Sequence, residues 1–201
     1  MIENMQARFA ARRKPLRCVA AARRLIRRED GAVAVEFGLV AVPFLALVFA
    51  IIETALVFFA GQTLETAAAD SARLIMTGQQ QTSSVPTGST PAAEFIKQVC
   101  DPNNSSAKIK AIFDCSKLII DVRSFSTFST ISVPNPVDAN GNLTLTPAYQ
   151  PGGPGDIVVV RLMYQWPVYV SLLGLNGGLS NMSANNRLMM ATAAFRNEPY
   201  Q

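Results

Sequence analysis

A chain of 201 residues has room for one domain of ordinary size and one membrane segment. It is 49% hydrophobic and only 16% charged, and because the excess sits in one block, the composition argues for an anchored protein and against an apolar globule. The net charge of +4 is uneven: residues 1–31 hold nine Lys and Arg against Glu3, Glu29 and Asp30, and the remainder holds nine against eleven acids. With the bases directly ahead of an apolar span, membrane orientation explains them better than nucleic acid, and no nucleic-acid partner is expected. His is absent, which removes the commonest general base and zinc ligand. Neither a metal nor a cofactor is expected.

Residues 1–30 are rich in Arg and Ala. Read alone they resemble a transit peptide, but Glu29-Asp30 and the length of the following run do not suit that reading. A secretory signal would have a shorter core closed by a small-x-small site. The leader 1–31 therefore reads as a basic cytoplasmic tail. Charge density collapses at Gly31, and the apolar run that follows reaches Gly61 with only two acids, Glu36 and Glu53. The 25 residues Phe37 to Gly61 span roughly 37 Å as a helix, enough to cross a hydrocarbon core of about 30 Å with some tilt. Pro43 is tolerated there as a kink. The positive-inside bias places the N-terminus in the cytoplasm and residues after about 62 outside.

The helix is expected to continue beyond the membrane. Leu64, Ala67, Ala68, Ser71, Ala72 and Ile75 recur at three- and four-residue steps as a small-residue apolar stripe, and Gly78 suits a C-cap. One long helix over about 32–77 results, with residues 32–61 in the membrane and 62–78 amphipathic. An exported α+β domain over 79–201 follows. Gln79–Pro91 reads as a loop and Ala92–Val99 as a short helix leading to Cys100. Lys117–Phe128 alternates, with Leu118, Ile120 and Val122 on one face and Asp121 and Arg123 on the other, as in a half-buried strand. Residues 134–155, with the turn pair Asn140-Gly141 and a short strand candidate at Leu143–Thr146, form a loop or hairpin excursion. Asp156–Val170 gives the strongest strand signal, bent or ended by Pro167. A Gly/Asn-rich turn at 174–186 leads to a last strand at Arg187–Phe195, whose Leu188–Ala194 portion suits helix equally well by propensity. Three strands cannot cover both of their own faces. The amphipathic helix half supplies the missing layer, giving an α+β fold in which a long N-terminal helix packs on a small, mainly antiparallel C-terminal sheet.

Export would place Cys100 and Cys115 in an oxidising compartment, where they can form a disulfide while Cys18 stays a thiol. Closing a loop of that length contributes about 3 kcal/mol in the chain-entropy model. Tyr164 and Trp166 share a strand face and suit packing better than a ligand-stacking surface that would include Tyr169. No nucleophile–base pair and no phosphate-binding Gly-rich loop appears, so the chain does not read as an enzyme.

The junction Gly31-Ala-Val-Ala-Val-Glu36-Phe37 and the run to Phe59, with Ile51-Ile52-Glu53 inside it, resemble type IV pilin-like proteins. More specifically they are similar to the TadE-like minor pseudopilins of the tight-adherence (Flp) pilus system. Pro154–Arg161 with Tyr164 and Trp166, and Ala193–Tyr200, look similar to the exported domains of that group. Major Flp pilins carry Glu-Tyr at the junction and are much shorter, whereas this chain has Glu36-Phe37 and a large exported part, which favours a minor component.

The resemblance implies cleavage by a prepilin peptidase between Gly31 and Ala32, with Glu36 as the acid at mature position five. It also implies other pilin or pseudopilin subunits, inner-membrane assembly proteins and the bilayer as partners. The location implied is single-pass in a bacterial inner membrane, with the C-terminal domain periplasmic and incorporation into an extracellular pilus open. A carboxylate in hydrocarbon costs about 2.5–3.5 kcal/mol on insertion scales and needs a partner. Glu36 could pair with the new amine of a neighbouring subunit and set register, or it could snorkel at the membrane boundary. Glu53 has two readings, an intramembrane contact to a partner protein or a marker of the outer boundary beside Phe58 and Phe59. The competing functional reading is an unprocessed single-pass protein whose exported domain binds an envelope ligand or partner.

Overall fold

The computed structural model describes residues 29–101, 103, 109–169 and 179–199, with the side chains of the first helix from Val33 onward. The readings placed on residues 1–28, including Cys18, on 174–178 within the last turn, and on Tyr200 lie outside the described residues. Contacts divide the chain after Val48.

Helix α1 runs over Glu29–Met76, close to the expected 32–77. Its sequence is a long run of apolar residues, and its hydroxyls do not interrupt it. Thr54, Thr63 and Thr66 each donate to the carbonyl four residues back, at 2.8, 2.9 and 2.9 Å. Pro43 sits inside the helix without ending it, at the loss of one backbone rung. The stop is Gly78, whose φ of 77° is the left-handed conformation that favours glycine at this position. Its N–H donates to the Ile75 carbonyl at 3.0 Å.

The chain after Gly78 does not begin as the expected loop. Gln79–Thr82 forms a single helical turn, α2, tied down by Gln81, whose amide donates to the Pro151 carbonyl at 3.0 Å. Helix α3, Pro91–Cys100, starts where Thr90 accepts from the Ala93 N–H and Pro91 takes the first turn, both standard start signals. A disulfide joins Cys100 to Cys115, as the compartment argument anticipated.

Strands β1 (Ile119–Phe125), β2 (Ile157–Pro167) and β3 (Asn186–Arg196) form one antiparallel sheet in the order β1-β2-β3. Asp121 pairs with Arg161 and Tyr164 with Met189 in its register. Pro167 ends β2, and the whole of Leu188–Ala194 is strand, so pairing with β2 overrides the helical propensity of its Met and Ala residues. Leu143–Thr146 is not a strand; it contributes one isolated bridge, Leu143 to Val137.

One sheet face carries Ile120, Val122, Val158, Val160, Leu162 and Tyr164 into a core shared with Leu64, Ala67, Ala68 and Ile75 of α1. The stripe expected on the helix is buried at every one of its six positions. The other face departs from expectation. Asp121, assigned from its alternation to the solvent side of a half-buried strand, is 1% exposed. The loop after Pro134 crosses that face, so the strand is buried on both sides near its centre, and alternation alone could not reveal the cover.

Candidate functional site

Among the described residues from Val33 to Ile52, none is buried. Phe37, Leu39, Val40 and Phe44 are each more than half exposed. A helix that is apolar all round suits either a protein core or a membrane, and this stretch has no core around it. Val33–Met76 is long and apolar enough to cross a membrane. A patch of this extent far exceeds the few hundred Å² that soluble monomers leave uncovered.

The two acids of the apolar run sit in different surroundings. Glu36 is exposed on the helix beside Phe37, and among the described residues it has no hydrogen bond or ion pair within the chain. Gly31 and Ala32 lie within α1. Glu53 is 6% exposed, and its carboxylate accepts the backbone N–H of Tyr169, two residues beyond the end of β2. Its nearest role is therefore within the chain: it fastens the exit of β2 to α1. Neither sequence reading of Glu53 included this contact, because no local signal links positions 116 residues apart. Burial continues along the same side of the helix at Val57 and Ala60, while Ile52, Leu56, Phe58 and Phe59 stay exposed.

The aromatic set divides as well. Tyr164 and Trp166 pack on Phe113 with ring centroids 4.9 and 5.9 Å away, whereas Tyr169 is 72% exposed. A shallow groove between α1 and β3 is lined by Thr54, Phe58, Gly61, Arg187 and Met190. Among the described residues no group of three or more His, Cys, Asp or Glu could hold a metal ion.

The domain's principal charged cluster was not apparent from the sequence. Asp121 accepts from Arg161 Nη2 at 2.6 Å and Nε at 3.1 Å, from Arg123 Nε, and from the Ala148 N–H at 2.9 Å. Arg161 Nη1 also donates to the Pro134 carbonyl at 2.8 Å. Burial pushes the Asp121 carboxyl up, but the hydrogen bonds from Arg123, Arg161 and Ala148 outweigh it and hold the group below the usual carboxylate range. Burial alone pushes the Tyr149 phenol up to about 12. This cluster fixes the loop on the sheet.

Residues 31–73 match the family model described as TadE-like protein. The matched segment starts at the Gly31 junction and ends within the amphipathic half of α1, so the resemblance seen at Gly31–Phe59 holds on that stretch. No curated protein and no solved structure matches the chain.

Proposed function

Because its membrane-length helix is TadE-like, we propose that this chain is a minor pseudopilin, a peptidase-processed structural component of Tad/Flp pilus assembly or adhesion. The observation that carries the reading is the uncovered apolar stretch from Val33 to Ile52, inside the segment that matches the family model. Neighbouring pilin helices or lipid must cover that surface.

In this reading the N-terminus lies in the cytoplasm and the sheet domain in the periplasm, with the chain held in the inner membrane until assembly. A prepilin peptidase cuts between Gly31 and Ala32. The bond lies at the near end of the described helix, just ahead of the apolar run. Gly31 has no side chain to obstruct approach to the bond. Cleavage removes the basic leader and creates an α-amine at Ala32. Glu36, which has no partner of its own among the described residues, pairs with that amine on a neighbouring subunit and sets axial register. The helices then pack along their apolar surfaces while inner-membrane assembly proteins supply the platform.

Intact-mass measurement of the chain produced with its peptidase tests the proposal. Loss of residues 1–31 is expected. A chain that keeps its leader under those conditions favours the competing reading of an unprocessed single-pass protein. Glu36→Gln should insert into membranes normally yet impair pilus formation, and normal pili from that variant would refute the register role.

A further inference from the structure

We propose that the outer end of the span is seated in the lipid head-group layer by a second contact besides α1. In this arrangement Glu53 pins the Val168–Tyr169 backbone to the helix, and the Tyr169 ring enters the interface alongside Phe58 and Phe59. The inference rests on the membrane reading of α1 and adds to it a depth-setting surface whose partner is the phospholipid interface.

Length along the helix places these groups. The 20 residues from Val33 to Ile52 rise about 30 Å, which matches a hydrocarbon core of about 30 Å. The next turn begins with Glu53, the first buried residue of α1 among those described. From Glu53 to Phe59 the helix climbs about 9 Å, and the interfacial layer on each side is about 5–7 Å deep. Phe58 and Phe59, 72% and 63% exposed, therefore stand in or just above that layer.

Tyr169 is held at the level of Glu53, at the base of that layer, because its N–H donates to the Glu53 carboxylate. Its neighbour Val168 is 6% exposed, yet the Tyr169 ring is 72% exposed. A tyrosine turned outward at this height suits the interface, where an apolar ring and a wet hydroxyl are both satisfied. The sequence from Pro167 to Asn186 carries no charged residue that would oppose approach to lipid. The bond to Tyr169 also answers the problem of an acid at the hydrocarbon edge: a backbone N–H supplies the charge-assisted partner that water would otherwise provide. An α1 held only by its apolar length could slide or tilt freely, and the aromatic contacts on two chain segments fix its depth.

The test uses the full chain in phosphatidylcholine vesicles. Trp166 is the sole tryptophan, so Trp166→Phe combined with Tyr169→Trp places the reporter at the exposed site. Lipids brominated near the glycerol end of the acyl chain should quench its emission more than lipids brominated near the chain terminus. Adding Glu53→Ala should abolish that quenching and shift the emission to the red. Glu53→Gln, whose amide oxygen still accepts, should retain it. Flotation with the vesicles but no quenching by either lipid overturns this inference while leaving the membrane reading intact. Failure to float overturns the membrane reading itself. The substitution at Tyr169 alters a surface side chain, so the quenching comparison does not depend on the Glu53 variants folding.

Discussion

Replacing Asp121 by Ala removes the carboxylate at the centre of the sheet's far face and leaves its partners in place. Asp121 and Arg161 have side-chain exposures of 1% and 4%. The variant loses the Arg161 contacts at 2.6 and 3.1 Å, the Arg123 contact at 3.0 Å and the Ala148 contact at 2.9 Å. Arg161 keeps only the Pro134 carbonyl from these hydrogen bonds. Breaking a buried pair on one side costs about 3–5 kcal/mol, because the remaining charge is uncompensated. Domains are stable by only about 5–15 kcal/mol in total, so the loss is a large fraction of what holds the sheet together. With a urea slope of about 2 kcal/mol/M, the midpoint should fall by about 1.5–2.5 M. Urea unfolding of the full chain in detergent micelles, followed by Trp166 emission, reads this directly. Asp121→Leu combined with Arg161→Met should recover most of the loss, since a well-packed apolar replacement removes both charges together. A midpoint shift below about 0.5 M for Asp121→Ala would show that the cluster behaves like an exposed ion pair, and the reasoning would fail.

Acid should weaken the same domain with a defined sign. The Asp121 carboxyl is held below its ordinary value, so its contribution is present above about pH 4, the unfolded value, and fades as pH falls through the lower folded value; Asp121→Asn should flatten the acid limb of a stability–pH curve. Cys100→Ser with Cys115→Ser opens the disulfide loop and should cost about 3 kcal/mol in urea unfolding. Thiol titration of the denatured chain made without the peptidase, so that it keeps residues 1–31, should find one reactive group, Cys18, before reduction and all three cysteines after it. Gly141 has φ +79°, and an added Cβ would lie 2.8 Å from the Ser183 nitrogen. Gly141→Ala should therefore destabilise by more than about 1 kcal/mol, and a thermal midpoint equal to that of the native chain would contradict this.

The elements that announced themselves did so through long, unambiguous patterns. The apolar run and the dense Ile157–Val160 segment are unbroken apolar stretches, and the stripe from Leu64 to Ile75 repeats at three- and four-residue steps. The disulfide followed from compartment logic. What stayed hidden depends on pairs of positions far apart in the chain. Asp121 looked solvent-facing because alternation describes a strand and not the loop that later folds over it. Glu53 had no visible partner because that partner is a main-chain N–H, which every non-proline residue possesses and no sequence signal distinguishes. The α2 turn was read as loop because glutamine and threonine patterns are weak, and the turn is held by Gln81 reaching the Pro151 carbonyl.

The Glu198 N–H donates to the carbonyl of Met76, the last residue of α1, and Met189 of β3 approaches Gly61 near the other end of the packed half of that helix. The segment from β3 to Glu198 therefore completes the cover of a helix made long before it during synthesis. Until β3 arrives, the side of α1 beneath Met189 and Ala191 lacks part of its lid, and no shorter portion of the chain can complete the core. Contacts so distant in sequence fold slowly, which leaves an interval in which an unfinished domain exposes apolar surface to its surroundings. The dependence on β3 makes completion nearly all-or-none, so a chain interrupted before that strand should be a substrate for chaperones or proteases and a poor building block for assembly.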